Sequence, residues 1–281
     1  MLSAEAILRL EAALRLGCFL TVFFAVWGWE AALPRRVRPA SHRIRWLNNL
    51  AIVAVNSLCL RLVFPLIATT FAVYVNARGW GLLPLLAMPG WLAGLVAFLL
   101  FDLAIYFQHR VFHAVPAFWR MHRMHHTDPG FDVTTALRFH PFEILLSMGI
   151  KLLLVAVLGP PALAVLIFEI MLNATAMFNH ANGRLSLPVD RWLRLLLVTP
   201  DMHRVHHSVY PDETDSNFGF NLAWWDRVFG TYRPQPRGGH QNMQIGTGSF
   251  SGRRDLWLDK LLLQPLQDTN AETVTQKQPP D

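Results

Sequence analysis

The sequence predicts an all-α fold: a polytopic bundle of membrane helices with a histidine-rich cap on its cytoplasmic side. The first observation is composition, since 53% of the 281 residues are hydrophobic and only 16% are charged. A soluble domain carries about 25% charged residues, so this chain has too few of them to cover a water-exposed surface. The second observation is the placement of the histidines, most of which fall in two stretches that follow apolar segments.

The first apolar span is predicted over residues 16–33, with an amphipathic lead-in over residues 1–16. The segment that follows, residues 34–45, contains five arginines and is predicted to stay in the cytoplasm, where basic loops are retained. The net charge of +6 could also indicate nucleic-acid binding. Because the basic residues lie in clusters between apolar stretches, membrane topology accounts for this charge, and no nucleic-acid partner is predicted.

The second apolar stretch, residues 47–75, is predicted to cross the membrane as one tilted helix although it contains Arg61 and Pro65. A turn-rich connector follows, and the third span is predicted over residues 91–108. Three alternating spans around a cytoplasmic basic loop place the amino terminus outside. The same alternation puts the histidine-rich region 109–142 at the cytoplasmic membrane face.

Residues 143–179 are predicted to form a helical hairpin, because Gly-Pro-Pro at 159–161 ends one apolar helix and starts another. The hairpin returns the chain to the cytoplasmic side, where the remaining residues are predicted to lie. The final residues, 270–281, have the composition of a disordered end. The predicted organisation is transmembrane helices and connectors over 1–90, a histidine-bearing region over 91–237, and a partly disordered tail over 238–281.

The histidines form three spaced motifs. His109 and His113 lie four residues apart, on one face of a helix. The pattern HxxHH then occurs twice, in residues 122–126 and in residues 203–207. Imidazole is a common ligand of Fe, Zn, Cu and Ni, and a single ion cannot use eight histidines. The three motifs together therefore predict a site for two metal ions.

These motifs resemble the fatty acid hydroxylase/sterol desaturase superfamily of integral membrane, histidine-box, di-iron oxygenases, including its bacterial members. The words that carry the resemblance are FDLAIYFQHRVFH, FWRMHRMHHTD, LRFHPFE, FNHANGRL, TPDMHRVHHSV and NFGFNLAWWDRVFGTY. The resemblance runs from about residue 96 to residue 233, half of the chain. It implies a di-metal centre at the cytoplasmic ends of a helical bundle, with residues 91–237 as the catalytic region.

Carried over position by position, the resemblance implies ten metal-binding histidines: His109, His113, His122, His125, His126, His140, His180, His203, His206 and His207. His180 matches a single-histidine element after the hairpin. Some members have a second histidine four residues earlier, where this chain has Ala176. His140 is expected either as a ligand or as a group that contacts one.

Ligating histidines need an acceptor for the second ring nitrogen. The candidate acceptors are Asp102, Asp128, Glu143, Asn179, Asp201 and Asp226, of which Asp102 and Asp201 are preferred. Asp102 lies two helical turns before His109, on the same face. It is preferred because an acid near the end of a membrane span calls for a partner. Thr199 and Pro200 predict the first residues of a helix that carries the second HxxHH motif.

The implied activity is O2-dependent hydroxylation, in preference to desaturation, of a C–H bond in a lipid or fatty acyl chain. It would use two iron ions, which zinc can replace in a crystal, and electrons from a separate donor protein. The alternatives are a histidine-rich membrane metal-binding or transport protein and a zinc-dependent membrane hydrolase. Transporters place ligands near the bilayer midplane and metalloproteases carry HExxH, and neither pattern occurs here. The expected location is the bacterial inner membrane, with the metal site and the carboxyl terminus in the cytoplasm.

Overall fold

The computed structural model describes residues 4–39 and 41–268 of the chain. Within these ranges the helices are α1 Ala4–Ala32, α2 His42–Val63, α3 Ala68–Ala77, α4 Leu82–Leu85, α5 Gly90–Ala114, α6 Pro116–His126, α7 Pro141–Leu158, α8 Ala162–Asn179, α9 Leu187–Leu193, α10 Pro200–His206, α11 Pro211–Thr214, α12 Trp224–Val228, α13 Gly239–Asn242 and α14 Leu258–Leu263. Short 3-10 helices cover Thr135–Leu137, Arg253–Leu256 and Gln264–Leu266. The described residues contain no β-strand, and the predicted all-α class is confirmed.

Within the described residues, five segments are long and apolar enough to cross a membrane: Arg9–Ala32, His42–Leu85, Gly90–Ala114, Pro141–Leu158 and Ala162–Asn179. They confirm the predicted polytopic bundle of an integral membrane protein. From Ala4 onward, the predicted lead-in and the first span form one continuous helix, α1. The predicted disordered end, residues 270–281, lies outside the described residues.

The prediction of one helix over residues 47–75 is wrong, because the chain breaks between α2 and α3. Phe64 follows α2 with extended backbone angles (φ −113°, ψ 107°). Pro65 accounts for the break, since proline disfavours helical angles in the residue before it and cannot donate a backbone hydrogen bond. The second span is therefore built from two helices instead of one tilted helix.

The predicted hairpin consists of α7 and α8. Gly159 ends α7 in a left-handed conformation (φ 60°), and a Cβ at this position would collide with the carbonyl oxygen of Trp80. Asn76 Nδ2 donates to the carbonyl oxygens of Gly159 (3.3 Å) and Pro160 (3.0 Å), which ties α3 to the turn. α8 is the central helix of the bundle and packs against α1, α3 and α5.

A buried ion network connects three of the membrane helices. Glu169 on α8 accepts hydrogen bonds from Lys151 Nζ on α7 (2.5 Å) and from Arg15 Nη2 on α1 (2.5 Å). Arg15 also pairs with Glu11 one turn earlier in α1. Charged side chains inside a membrane bundle are costly unless they are paired, and these pairs hold α1, α7 and α8 in register.

The histidine-rich cap is formed by α6, α9 to α14 and the loops between them. The described part of the predicted tail packs onto the bundle, because Leu258 N donates to Asn48 Oδ1 on α2 (2.8 Å). At the end of α1, Glu30 Oε1 accepts from the backbone N–H groups of Val133 (2.8 Å) and Asn182 (2.9 Å). One carboxylate thus fixes both the loop after α6 and the loop after α8.

Candidate metal centre

Four helices end at the same place in the cap. The carboxyl-terminal turns of α5, α6 and α10, together with the first residues after α8 and α10, carry all the clustered histidines. The carboxyl-terminal end of a helix has a partial negative charge, so four such ends favour a cation between them. The predicted start of α10 is confirmed, with Pro200 as its first residue and the Thr199 side chain accepting from Met202 N.

The clustered histidines divide into two groups. We call His109, His113, His122, His126 and His206 the five-histidine group, and His125, His180, His203 and His207 the four-histidine group. Within each group one nitrogen of every ring lies within 4.8 Å of the others. The groups are adjacent, since the rings of His126 and His207, one from each group, stack with their centroids 4.5 Å apart.

Each HxxHH motif contributes to both groups. The first and last histidines of the motif in α6, His122 and His126, belong to the five-histidine group, and His125 belongs to the other. The motif at the end of α10 has the reverse assignment, because His203 and His207 belong to the four-histidine group and His206 to the other. The two motifs therefore interlock across the centre.

The outer ring nitrogens of the five-histidine group are largely hydrogen-bonded. His109 Nδ1 donates to Phe218 O and His206 Nδ1 donates to Ser216 O, each at 2.8 Å. His122 Nδ1 lies 2.8 Å from Glu143 Oε1. His113 Nδ1 lies 3.1 Å from Asp215 Oδ1. Because each partner is an acceptor, these Nδ1 atoms carry the protons and leave Nε2 as a bare lone pair.

The four-histidine group has fewer outer hydrogen bonds. His180 Nδ1 donates to Ala176 O at 2.8 Å. Among the described residues, no hydrogen-bond partner contacts Nδ1 of His125, His203 or His207. His125 is instead held by stacking on Phe139, with ring centroids 4.4 Å apart and the planes inclined by 11°.

The positions of the inner ring nitrogens favour coordination of metal ions over hydrogen bonds between the rings. Nε2 of His109 lies 3.1 Å from Nε2 of His122. Neither nitrogen carries a proton, so the two atoms cannot form a hydrogen bond with each other. In the other group, His180 Nε2 lies 3.1 Å from Nε2 of both His125 and His203. Adjacent ligands about 2.1 Å from one ion at right angles lie about 3.0 Å apart, close to these distances. The residues present therefore fit a metal in each group.

Burial keeps the imidazoles in the form that binds metal. Removal from water, with the neighbouring imidazoles adding repulsion, lowers the pKa of His206 to about 3. Burial also lowers the pKa of His180 to about 4. The pKa values of His125, His126, His203 and His207 lie well below the ordinary value of 6.5, chiefly for the same reason. At neutral pH these rings are uncharged and have a lone pair for a metal.

His140 lies outside both groups. It precedes α7, where its Nδ1 accepts from Phe142 N (3.3 Å) and its Nε2 donates to Leu262 O (3.2 Å). Both ring nitrogens are therefore engaged away from the centre, so the geometry gives no support to its expected role as a ligand. His42 and His240 also stand apart from the groups, in line with their positions in the sequence.

The preferred acceptors, Asp102 and Asp201, do not contact the clustered rings, which corrects that prediction. Asp102 lies seven residues before His109, about 10 Å along the helix axis, too far for its carboxylate to reach the ring. It accepts instead from Asn221 Nδ2 (2.8 Å) and Trp225 Nε1 (2.9 Å). Asp201 pairs with Arg35 and Arg204.

The carboxylates that do contact rings are Glu143, one of the weaker candidates, and Asp215, which sequence reasoning missed. Asp215 directly follows the short acidic helix α11, and nothing in this part of the sequence marks it as a histidine partner. Asp102 acts indirectly, because the loop it anchors also contains Phe218, whose carbonyl accepts from His109. Asp226 holds the same loop by accepting from Phe218 N (2.8 Å) and Gly219 N (2.9 Å).

A cavity of about 260 Å³ lies between α2, α5, α7 and α8 and borders the metal centre. His109 and His122, both of the five-histidine group, line its inner end. Its walls are mostly apolar, and its far end is lined by Lys151 and Glu169. The cavity thus connects the membrane interior with the histidines.

Comparison with known proteins agrees with this arrangement. Residues 94–231 match the family model described as fatty acid hydroxylase. The ornithine lipid hydroxylase OlsE of Rhizobium tropici is 30% identical over 48% of this chain and 40% of its own length. The alkylglycerol monooxygenase of Xenopus tropicalis is 33% identical over 50% of this chain and 30% of its own length.

A third relative, the cholesterol 25-hydroxylase of Rattus norvegicus, is 26% identical over 50% of this chain and 47% of its own length. The chain therefore spans less than half the length of these curated relatives. No solved structure matches the chain significantly. The family match covers the hairpin and all nine clustered histidines, and through residues 94–231 the chain belongs to the fatty acid hydroxylase family.

Proposed function

We propose that the protein is a membrane-bound, O2-dependent lipid hydroxylase with two iron ions. The observation that carries this proposal is the pair of adjacent, buried imidazole groups beside a cavity within the membrane helices. Iron bound in both groups would supply the redox chemistry that reduces O2 and oxidises an unactivated C–H bond. Two of the relatives are named hydroxylases and one a monooxygenase, which favours hydroxylation over desaturation.

The chain's own residues hold and isolate the site. The nine imidazoles provide neutral ligands, and the outer hydrogen bonds fix the ring orientations of the five-histidine group. Apolar cavity walls such as Phe112 and Phe220 exclude water and place a lipid chain beside His109 and His122.

We infer that the metal centre and the carboxyl-terminal region face the cytoplasm of a bacterial inner membrane. Two arginines of the basic segment 34–45 lie at the metal end of the bundle, where Arg35 pairs with Asp201 and Arg45 pairs with Asp128. Basic loops stay on the cytoplasmic side, which supports this orientation. The reaction consumes external electrons, and we assign their delivery to a separate donor protein.

The test combines metal analysis with lipid analysis. Protein purified from iron-supplemented cells is expected to hold two iron ions per chain, and cells that express it are expected to gain hydroxylated lipids. His125→Ala and His206→Ala, one from each group, should abolish product formation while the protein still inserts in the membrane. His240→Ala, a buried histidine outside both groups, is the matched control and should remain active.

Other outcomes would contradict the proposal. A wild-type protein without bound transition metal, or cells whose lipids do not change, would overturn the oxygenase assignment. Full activity in either ligand variant would overturn the ligand assignment. Activity restored by zinc but not by iron would favour a hydrolase.

A further inference from the structure

The cavity beside the metal centre contains buried acceptor atoms that lack a hydrogen-bond partner. They are Asn56 Oδ1, Gln108 Oε1 and Glu143 Oε2, and all three residues line the cavity. Asn56 is only 8% exposed, and its orientation is fixed because Nδ2 donates to Phe139 O (2.9 Å). A buried acceptor without a donor is unfavourable, so these atoms indicate a bound group that donates hydrogen bonds.

The three acceptors lie at the metal end of the cavity. Gln108 directly precedes His109, and the other carboxylate oxygen of Glu143, Oε1, contacts His122 Nδ1 (2.8 Å). Lys151 and Glu169 line the opposite end, and Lys151 is eight residues beyond Glu143, about 12 Å along α7. A donor group on the acceptors would therefore sit next to the part of the substrate closest to the histidines.

The charge around the acceptors selects an uncharged group. Neutral imidazoles leave bound metal ions with their full positive charge, which repels an ammonium group placed beside His109 and His122. An anionic group would face acceptor oxygens, including the Glu143 carboxylate. A hydroxyl or an amide N–H donates a hydrogen bond without bringing a charge into the membrane interior.

We propose that Asn56, Gln108 and Glu143 form a subsite for a hydroxyl or amide N–H group of the lipid, adjacent to the carbon that reacts. This inference rests on the proposed function, since it names the substrate class of the same site. The apolar walls beyond the subsite accept the lipid chain. Asn56 and Gln108 are thus specificity-determining residues that do not bind metal.

The test measures binding and not turnover, so that it is independent of the oxidation reaction. Metal-loaded protein in lipid nanodiscs is equilibrated with radiolabelled tetradecanol, tetradecane or protonated tetradecylamine, and label on empty nanodiscs is subtracted. The wild type should hold the alcohol about ten-fold more tightly than the alkane, the gain from one or two buried hydrogen bonds. The amine should bind more weakly than the alcohol.

The double variant Asn56→Leu/Gln108→Met should lose the preference for the alcohol while its affinity for the alkane stays within about two-fold. Asn173→Leu is the matched control, because it makes the same change on the rim of the same cavity, and it should keep the preference. If the double variant does not fold, Gln108→Met alone should reduce the preference. Metal content and melting temperature are measured on every variant.

Equal binding of alcohol and alkane by the wild type would overturn the subsite, as would a double variant that keeps the preference. Tighter binding of the amine would overturn the uncharged class. A protein that prefers the alcohol but oxidises no lipid would contradict the proposed function and leave the subsite supported, so the two failures are distinguishable.

Discussion

The two histidine groups lie side by side but differ in how their rings are supported. In the five-histidine group, four outer nitrogens contact acceptors, two of which are the carboxylates of Glu143 and Asp215. In the four-histidine group, the only such hydrogen bond among the described residues joins His180 Nδ1 to Ala176 O. Outer partners orient a ligand and raise its basicity. The five-histidine group is therefore the better prepared metal site.

The cavity adds a second difference between the groups. Of the described histidines, only His109 and His122 line it, and both belong to the five-histidine group. The better supported group is thus the one that faces the lipid, whereas the other group is enclosed by aromatic rings such as Phe131 and Phe139. We infer that rigidity is concentrated where the substrate must be positioned.

The largest expected effect of this difference is a stepwise loss of metal. Removal of an outer partner weakens metal binding by about 10- to 100-fold, and the groups differ by three partners, so the four-histidine group should bind at least about ten-fold more weakly. The time course of metal loss after a chelator is added, followed by elemental analysis, should show two phases of equal size: a fast phase from the four-histidine group and a slow phase from the five-histidine group. A single phase would mean that the groups bind metal equally well or only as a unit.

Glu143→Gln should affect only the slow phase of metal loss, which comes from the five-histidine group. Glutamine can still accept from His122 Nδ1, but the charge that strengthens this hydrogen bond is lost, so binding by the five-histidine group should fall by about ten-fold. Asp215→Asn is the matched control, since its carboxylate is 62% exposed and its contact with His113 is longer, and its effect should be smaller. Acceleration of the fast phase by Glu143→Gln would contradict the assignment of Glu143 to one group.

Nine of the ten histidines expected at the metal centre cluster, whereas His140 does not, and the sequence did not predict how the nine would divide. Apolar length predicts spans, and histidines at the ends of spans must share one face of the membrane. The division follows from helical geometry, because His125 and His126 point about 100° apart while His122 and His126 point about 40° apart. The two rings of each HxxHH motif that are four residues apart therefore face one ion, and the third faces the other.

The outer partners could not be predicted, because most of them are distant in sequence. The carbonyls of Phe218 and Ser216 reach the rings only because the loop between α11 and α12 folds over the end of α5. Asp102 lies on the same face of α5 as His109, but it is two turns away along the helix and cannot reach the ring. Helical periodicity predicts the direction in which a side chain points. It does not predict the distance from that side chain to a loop that comes from elsewhere in the chain.

The smallest expected effect comes from adding a ligand to the weaker group. Ala176 lies one turn before His180 on α8, buried and at the wall of the cavity, so a histidine there would face the same side as His180. Ala176→His should slow the fast phase of metal loss by a few-fold and leave the slow phase unchanged, at a cost in stability of about 1–3 kcal/mol from overpacking. Ala174→His, two residues away on the opposite face of α8, is the control and should change neither phase. If Ala176→His slowed the slow phase instead, residue 176 would face the five-histidine group. The assignment of this position to the four-histidine group would then be wrong.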